Sequence, residues 1–295
     1  MVRFSYSLLP TPYSLLPRMK TKKQFGQHWL RNEQVLDRII SAAKIIPTDR
    51  ILEIGPGTGI LTRRLVAAAS AVVAVEIDRD LSALLVKKMG HLDNFLLLEN
   101  DFLNLDVESN LTAFPKFQQA NKVVANIPYN ITGPILEKLL GNIVQPAERP
   151  FDSIVLLVQR EVGDRLFAKP STKAFGALSI RVQYLAHCEL ICPVPARDFS
   201  PPPKVDSAAI RLTPRRLELT ANNPKMLDNL VRLGFSTRRK MLRNNLQSAI
   251  DREALVELLG VLNISDETRA EDLSIEQWIK LSNLVNDRKS ILDIL

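Results

Sequence analysis

The run Glu53-Ile-Gly55-Pro-Gly57-Thr-Gly59 constrains this chain more than any other stretch of it. It follows the short apolar segment Arg50–Ile54 and precedes an amphipathic one, so it reads as a strand-to-helix turn. Glycines at every second position let backbone pass close to a ligand at the C-terminal edge of a strand, which is where open α/β sheets bind. A dinucleotide fold would show G-x-G-x-x-G with a pyrophosphate over the helix N-terminus. Here the third glycine comes one residue early and an acidic residue stands two before the first, which argues against a pyrophosphate ligand.

The same grammar continues along the chain. Strands are expected at Arg50–Ile54, Ala71–Ile77, Phe95–Leu98, Lys122–Asn126 and Ser153–Val158, and helices after them at 60–69, 79–89, 132–140 and 160–168. Runs apolar on both faces imply a buried, mostly parallel sheet, hence an α/β Rossmann-like layer. Residues 175–186 read as a further helix. Glu189–Cys192 and Val205–Leu212 read as a late strand pair around the stiff segment Phe199-Ser-Pro-Pro-Pro-Lys204, whose prolines would hold Phe199 at a pocket mouth. Residues 222–287 show helical periodicity alone. The expected division is an α/β domain over 19–215 and a smaller all-helical domain over 216–295. Before them, Tyr6-Ser-Leu-Leu-Pro10 is repeated as Tyr13-Ser-Leu-Leu-Pro17; residues 1–18 are expected to be a disordered tail, with the functional protein starting near Met19.

Three strand ends carry acceptors. Glu76, 21 residues after Gly55, can accept two hydrogen bonds from ribose hydroxyls, and Asp101, at the end of the next strand, can accept from an adenine amino group. The fourth strand ends in Asn126-Ile127-Pro128-Tyr129. Pro128 forces Ile127 toward an extended conformation, so the Asn126 side chain and the Ile127 carbonyl can both face a ligand. Two acceptors holding the N–H bonds of an exocyclic amine turn its lone pair toward an electrophile, and Tyr129 can stack on the base. Such a site relies on alignment more than on acid–base catalysis.

The formal net charge is +7, and the excess is segregated: residues 1–40 hold 7 basic and 2 acidic side chains and residues 196–245 hold 11 and 4, whereas residues 246–295 hold 5 and 10. Lys20, Lys22 and Lys23 form one basic stretch. Arg238, Arg239, Lys240 and Arg243 form another, on a helix expected to start after Ser236; both can grip phosphates of a nucleic acid. The two cysteines, Cys188 and Cys192, cannot form a disulfide framework or a three-cysteine iron–sulfur site, and with His187 they read as packing residues, so no metal is expected. No apolar run has the length of a membrane span, and a cytoplasmic location is expected. Trp278 with Ile275, Ile279 and Leu281 to Leu284 reads as a buried helical stripe.

Taken together, the motifs resemble the KsgA/RsmA family of small-subunit ribosomal RNA adenine N6,N6-dimethyltransferases from about Lys20 to the C-terminus. The residues that carry the resemblance are Lys23-Gln-Phe-Gly-Gln-His-Trp-Leu30, the glycine turn, Asn126 to Tyr129, Gln159-Arg-Glu-Val162, Phe175-Gly-Ala-Leu-Ser179, Phe199 to Ser207 and Phe235-Ser-Thr-Arg-Arg-Lys240. It implies a monomeric S-adenosylmethionine-dependent enzyme acting on two adjacent adenines near the 3′ end of 16S rRNA in a 30S assembly intermediate. It further implies cofactor contacts from His28, Leu30, Gly55, Gly57, Glu76, Asp101 and Asn126, a target adenine held by Asn126, Ile127, Pro128 and Tyr129, and Phe199 as a second aromatic wall. Positions 28 and 29 depart from the pattern, with His-Trp where some members carry Asn-Phe. The related large-subunit methyltransferases of macrolide resistance share the glycine and Asn-x-Pro-Tyr motifs; a non-catalytic RNA-binding assembly factor and an NAD-dependent oxidoreductase are the readings from other classes.

Overall fold

The computed structural model describes Lys22 and residues 26–292; the expected tail over 1–18 lies outside the described residues. In chain order the elements are β1 (Trp29–Leu30), α1 (Glu33–Ala43), β2 (Arg50–Ile54), α2 (Ile60–Ala68), β3 (Ala71–Glu76), α3 (Arg79–Met89), β4 (Phe95–Glu99), α4 (Val107–Asn110), β5 (Lys122–Asn126), α5 (Thr132–Leu140), β6 (Ser153–Gln159), α6 (Arg160–Leu166) and α7 (Ala177–Leu185). After them come β7 (Ala186–Val194), β8 (Phe199–Ser200), β9 (Ser207–Pro214), α8 (Pro224–Gly234), α9 (Leu242–Asn245), α10 (Arg252–Val261) and α11 (Ile275–Leu292).

Seven strands form one sheet in the order β4-β3-β2-β5-β6-β9-β7, parallel from β4 to β6 and antiparallel across β9 and β7. Alternation along the strands supplies two cores. Leu52, Ile54, Val73 and Val75 face α5 to α7 with Ile135, Leu139, Leu166 and Leu185, whereas Ile51, Val72 and Ala74 face α1 to α3 with Leu36, Ile39, Leu65 and Leu85. Helix α1 starts where Asn32 Oδ1 accepts from the N–H groups of Gln34 and Val35, and stops at Lys44 in the left-handed conformation (φ 46°). A third core joins α8 to α11 around fully buried Trp278, whose ring stacks on Phe235, and it recruits Ile143, Phe175 and Ile180 from before residue 215.

The structure corrects two expectations about this region. Residues 236–241 form turns, and the helix that follows is the single turn α9. Asn245 Nδ2 donates to the carbonyls of Gly234 (2.6 Å) and Thr237 (3.0 Å), fixing a bend where the charge pattern suggested a helix. The cysteine segment lies in the long edge strand β7: Cys192 is buried and Cys188 partly so, with burial pushing its thiol up to about 12, but His187 is exposed and not a packing residue.

Candidate active site

Strand order reverses between β2 and β5: the chain runs outward from β2 through β3 to β4 and returns on the other side of β2 with β5 and β6. At such a switch point the loops leaving the two central strands diverge and open a crevice at their C-terminal ends. The glycine turn leaves β2 and Asn126 to Tyr129 leave β5, so the two motifs meet over that crevice. A cavity of about 340 Å³ lies there. His28, Leu30, Gly55, Gly57, Glu76, Asp101 and Asn126 line it, as do Ile127, Pro128 and Tyr129.

Glycine is required at two points of the turn. Gly57 has φ +61°, and a Cβ there would come 3.3 Å from the Trp29 ring; Gly59 has φ +83°, and a Cβ would meet Met89 and Leu85 at 2.8 and 2.9 Å. Gly57 thus lets Trp29 close over the turn at the cavity, and Gly59, which does not line the cavity, lets α3 pack against the start of α2. Glu76, 5% exposed, ends β3 with Oε2 accepting from Gly57 N–H (3.0 Å) and Oε1 from Asp78 N–H (2.9 Å). Each oxygen keeps a second lone pair, so the carboxylate can still take two hydroxyl donors. Burial holds the Glu76 carboxyl above its ordinary range, and those two N–H groups offset part of the effect. Glu53 lies deeper. Its carboxyl is fully buried and pushed up to about 8 by burial, with the Glu76 charge adding to it, and its Oε2 has no hydrogen-bond partner. Asp101 accepts from Leu103 N–H (2.9 Å) and from Asn104 Nδ2 (2.8 Å), which fixes its carboxylate at the rim.

The N-terminal segment closes one side of the crevice. Lys22 donates to Asp78 and Asp80 (2.7 Å each) and Gln27 to Asp78 (2.8 Å). Burial pushes the Asp78 carboxyl up, but the donors on Lys22 and Gln27 outweigh it and hold the group below its ordinary range. Further on, β1 pairs with β8, Trp29 opposite Ser200 and Leu30 opposite Phe199. Asn126 Nδ2 donates to the His28 carbonyl (3.1 Å), which leaves Asn126 Oδ1 as an acceptor in the cavity. Trp29, beside Gly57, and Glu53 also line the cavity; Glu53 heads the glycine motif in the sequence, whereas nothing local assigned Trp29 to the site, because it reaches the cavity through the pairing of β1 with β8.

Phe199 is a correction. It is 3% exposed, packs with the buried cluster of Leu30, Cys192 and Val194, and is not among the residues that line the cavity, so the proline run that follows does not hold it at the mouth. The basic stretches are corrected in part. Lys22 is engaged by the two aspartates, and Arg238 donates to Glu271 (3.0 Å) and to the carbonyls of Lys173 (2.7 Å) and Phe175, while Arg243 pairs with Asp266. These side chains tie loops together rather than standing free for phosphate. Arg239 and Lys240 are exposed, and Lys23 lies outside the described residues. Among the described residues no helix is long and apolar enough to cross a membrane.

Residues 18–287 match the profile of a family described as ribosomal RNA adenine dimethylase. Proteins named ribosomal RNA small subunit methyltransferase A from Nostoc sp. and Trichormus variabilis are each 62% identical over 267 residues, which is 90% of this chain and 98% of theirs. Among solved structures, a dimethyladenosine transferase from Plasmodium falciparum superposes with TM-score 0.75 at 28% identity, covering 89% of this chain and 98% of its own. The 23S rRNA methyltransferase ErmE superposes with TM-score 0.68 at 25% identity, covering 88% and 99%.

Proposed function

Because the chain belongs to the ribosomal RNA adenine dimethylase family and is a methyltransferase of rRNA, we propose that its cavity takes S-adenosylmethionine and that its substrate is a pair of adjacent adenines in the hairpin near the 3′ end of 16S rRNA. Each adenine is methylated twice at N6, in a 30S assembly intermediate in the cytoplasm, by a monomer. The α/β portion, 19–215, carries the chemistry and the helical portion, 216–295, packs beside it. The observation that carries this reading is the state of Asn126: its amide N–H is engaged by the His28 carbonyl, so its oxygen is the atom presented to an incoming donor.

The cavity fits a nucleoside with a charged tail. The cavity lies over Gly55 and Gly57 of the glycine turn, Glu76 retains lone pairs for two ribose hydroxyls, Asp101 stands at the rim for an adenine amino group, and the buried orphan Glu53 Oε2 matches a cationic donor. Once bound, S-adenosylmethionine supplies a methyl group already activated on a sulfonium. The chain's own task is then alignment. Asn126 Oδ1 and the Ile127 carbonyl accept hydrogen bonds from the two N6–H groups, which draws the lone pair out of conjugation and points it across the cavity; after the transfer the N6 cation releases its proton to water. Tyr129, its hydroxyl hydrogen-bonded to Ser207 Oγ, offers a ring face for the base. The adenine must leave its stack to arrive there.

The test is methyl transfer from labelled S-adenosylmethionine to under-methylated 30S and, in parallel, 50S particles, with the modified nucleoside mapped. The expected result is N6,N6-dimethyladenosine in the 3′-terminal hairpin of 16S rRNA. Label confined to 23S rRNA would move the substrate to that of the ErmE relative, and binding without transfer would leave an assembly factor.

A further inference from the structure

The cavity spans the ends of β4, β3, β2 and β5, and no residue of β6, of β9 or of the chain between them lines it. With the cofactor in that cavity, an amine reaches Asn126 from the side where β6 ends and β9 begins. Register shows what stands there. Asn126 lies opposite Leu157 of β6, and Gln159, two residues further on, lies opposite Ser207 of β9. Neighbouring strands are about 4.8 Å apart, so the segment leading into β9 stands about 10 Å from Asn126 along the rim of the sheet.

That segment, Ser200 to Asp206, is held at both ends. Ser200 pairs with Trp29, and the Pro201 carbonyl lies 2.8 Å from His28 Nδ1. At the other end Arg160 N–H donates to the Asp206 carbonyl (3.0 Å), Ala196 N–H donates to Asp206 Oδ1 (2.9 Å), and Ser207 Oγ is hydrogen-bonded to the Tyr129 hydroxyl. Pro201 to Pro203 stiffen the stretch between. Yet Val205 is 48% exposed, although Pro203 and Ser207 on either side of it are buried. Among the described residues it is the one exposed large hydrophobic side chain on the segments that join β5, β6 and β9 at this edge. An apolar side chain held in water on a loop without slack adds nothing to the core. It has the form of the apolar wedges that enter a stack of bases. An adenine that leaves its stack opens a gap, and whatever fills that gap opposes the return of the base.

We propose that Val205 is a wedge that enters the gap left in the RNA by the extruded adenine and holds the base out while Asn126 receives its amine. The proposal rests on the reading of the site as one that takes adenine from a stacked strand, and it assigns Val205 a contact with the neighbours of the target instead of with the target or the cofactor.

Val205→Ala shortens the wedge and Val205→Leu keeps it. Methyl transfer would be measured for both on under-methylated 30S particles and on the same particles with one of the two adenines replaced by uridine, a smaller ring that stacks less on its neighbour. Calorimetric binding of S-adenosylmethionine and thermal unfolding accompany the kinetics. Loss of two carbons from apolar contact predicts a kcat about 10-fold lower for Val205→Ala on the all-adenine particle. Because extrusion follows binding, KM for the particle should stay within a few-fold of wild type, and cofactor affinity and Tm should not change. Val205→Leu should restore kcat, and on the uridine particle the Val205→Ala deficit should shrink to about 3-fold or less, as less stacking is left to oppose. Wild-type kcat in Val205→Ala would overturn the proposal. A deficit of equal size on both particles would overturn it too, since the loop would then be acting on the site and not on the strand. If the wild-type protein transfers no methyl to adenine, the reading of the site falls first, and that result is seen before any variant is made.

Discussion

Glu53→Gln tests the electrostatics of the crevice floor. The Glu53 carboxyl titrates near 8 when folded against an ordinary value of 4.5, because burial disfavours its charge. With a folded value above the unfolded one, its contribution to stability is complete below pH 4.5 and is lost as pH rises through about 8. The amide variant is neutral throughout, so the difference between the proteins isolates this titration. Each pH unit well between the two values costs the wild type about 1.4 kcal/mol, and between pH 5 and pH 8, with the titrations incomplete at both ends, the wild type should lose about 3–4 kcal/mol relative to the variant. Urea unfolding followed by tryptophan fluorescence reads this out, since Trp29 stands at the site and Trp278 in the helical core. A difference that stays flat across that range of pH would refute the reasoning, for it would mean that water or a cation reaches Glu53 in the folded protein.

Glu76→Ala removes the acceptor for two hydroxyls and should weaken S-adenosylmethionine binding at least about 100-fold by calorimetry. Asn126→Ala should abolish detectable transfer while leaving particle affinity within a few-fold of wild type in filter binding. Phe199→Ala should lower stability by about 3–5 kcal/mol in chemical denaturation, as expected of a core aromatic; an unchanged stability would return Phe199 to the substrate. Affinity for 16S rRNA should fall steeply with salt, and replacing Arg239 and Lys240 together should reduce the slope of log affinity against log salt by about 1 to 2.

The parallel sheet was legible because β2, β3, β5 and β6 are buried on both faces and so read as continuous apolar runs between turn residues. The two site motifs were legible for a related reason: glycine spacing and a proline after Asn-Ile constrain backbone locally, and the topology then places both at one crevice. Strands β1 and β8 had no such signal. Each is two residues long and exists only because the other lies across from it. Phe199 followed from that pairing, since a stiff proline segment says that a neighbour is held and not which way it faces. The basic stretches show the same limit for charge. Arg238 is aimed at Glu271 and at carbonyls 65 and 63 residues earlier, partners that a local count of charges does not see. Helix α1 carried a readable Asn32 cap and the apolar positions Val35, Leu36, Ile39 and Ala43, but it precedes the glycine turn at which the α/β pattern begins.

The link between His28 and Pro201 joins residues 173 positions apart, and β1 and β8 are similarly remote. During synthesis at roughly 5–20 residues per second, the N-terminal segment must wait on the order of 10–30 s for its partner to be made. The parallel strands β2 to β6 are all complete before then, so the sheet can assemble with its crevice still open on that side. The nascent chain thus carries a folded scaffold before its crevice is closed on the N-terminal side, and the ribosome that makes this enzyme has nearly completed the α/β portion before it meets a protein able to modify ribosomal RNA.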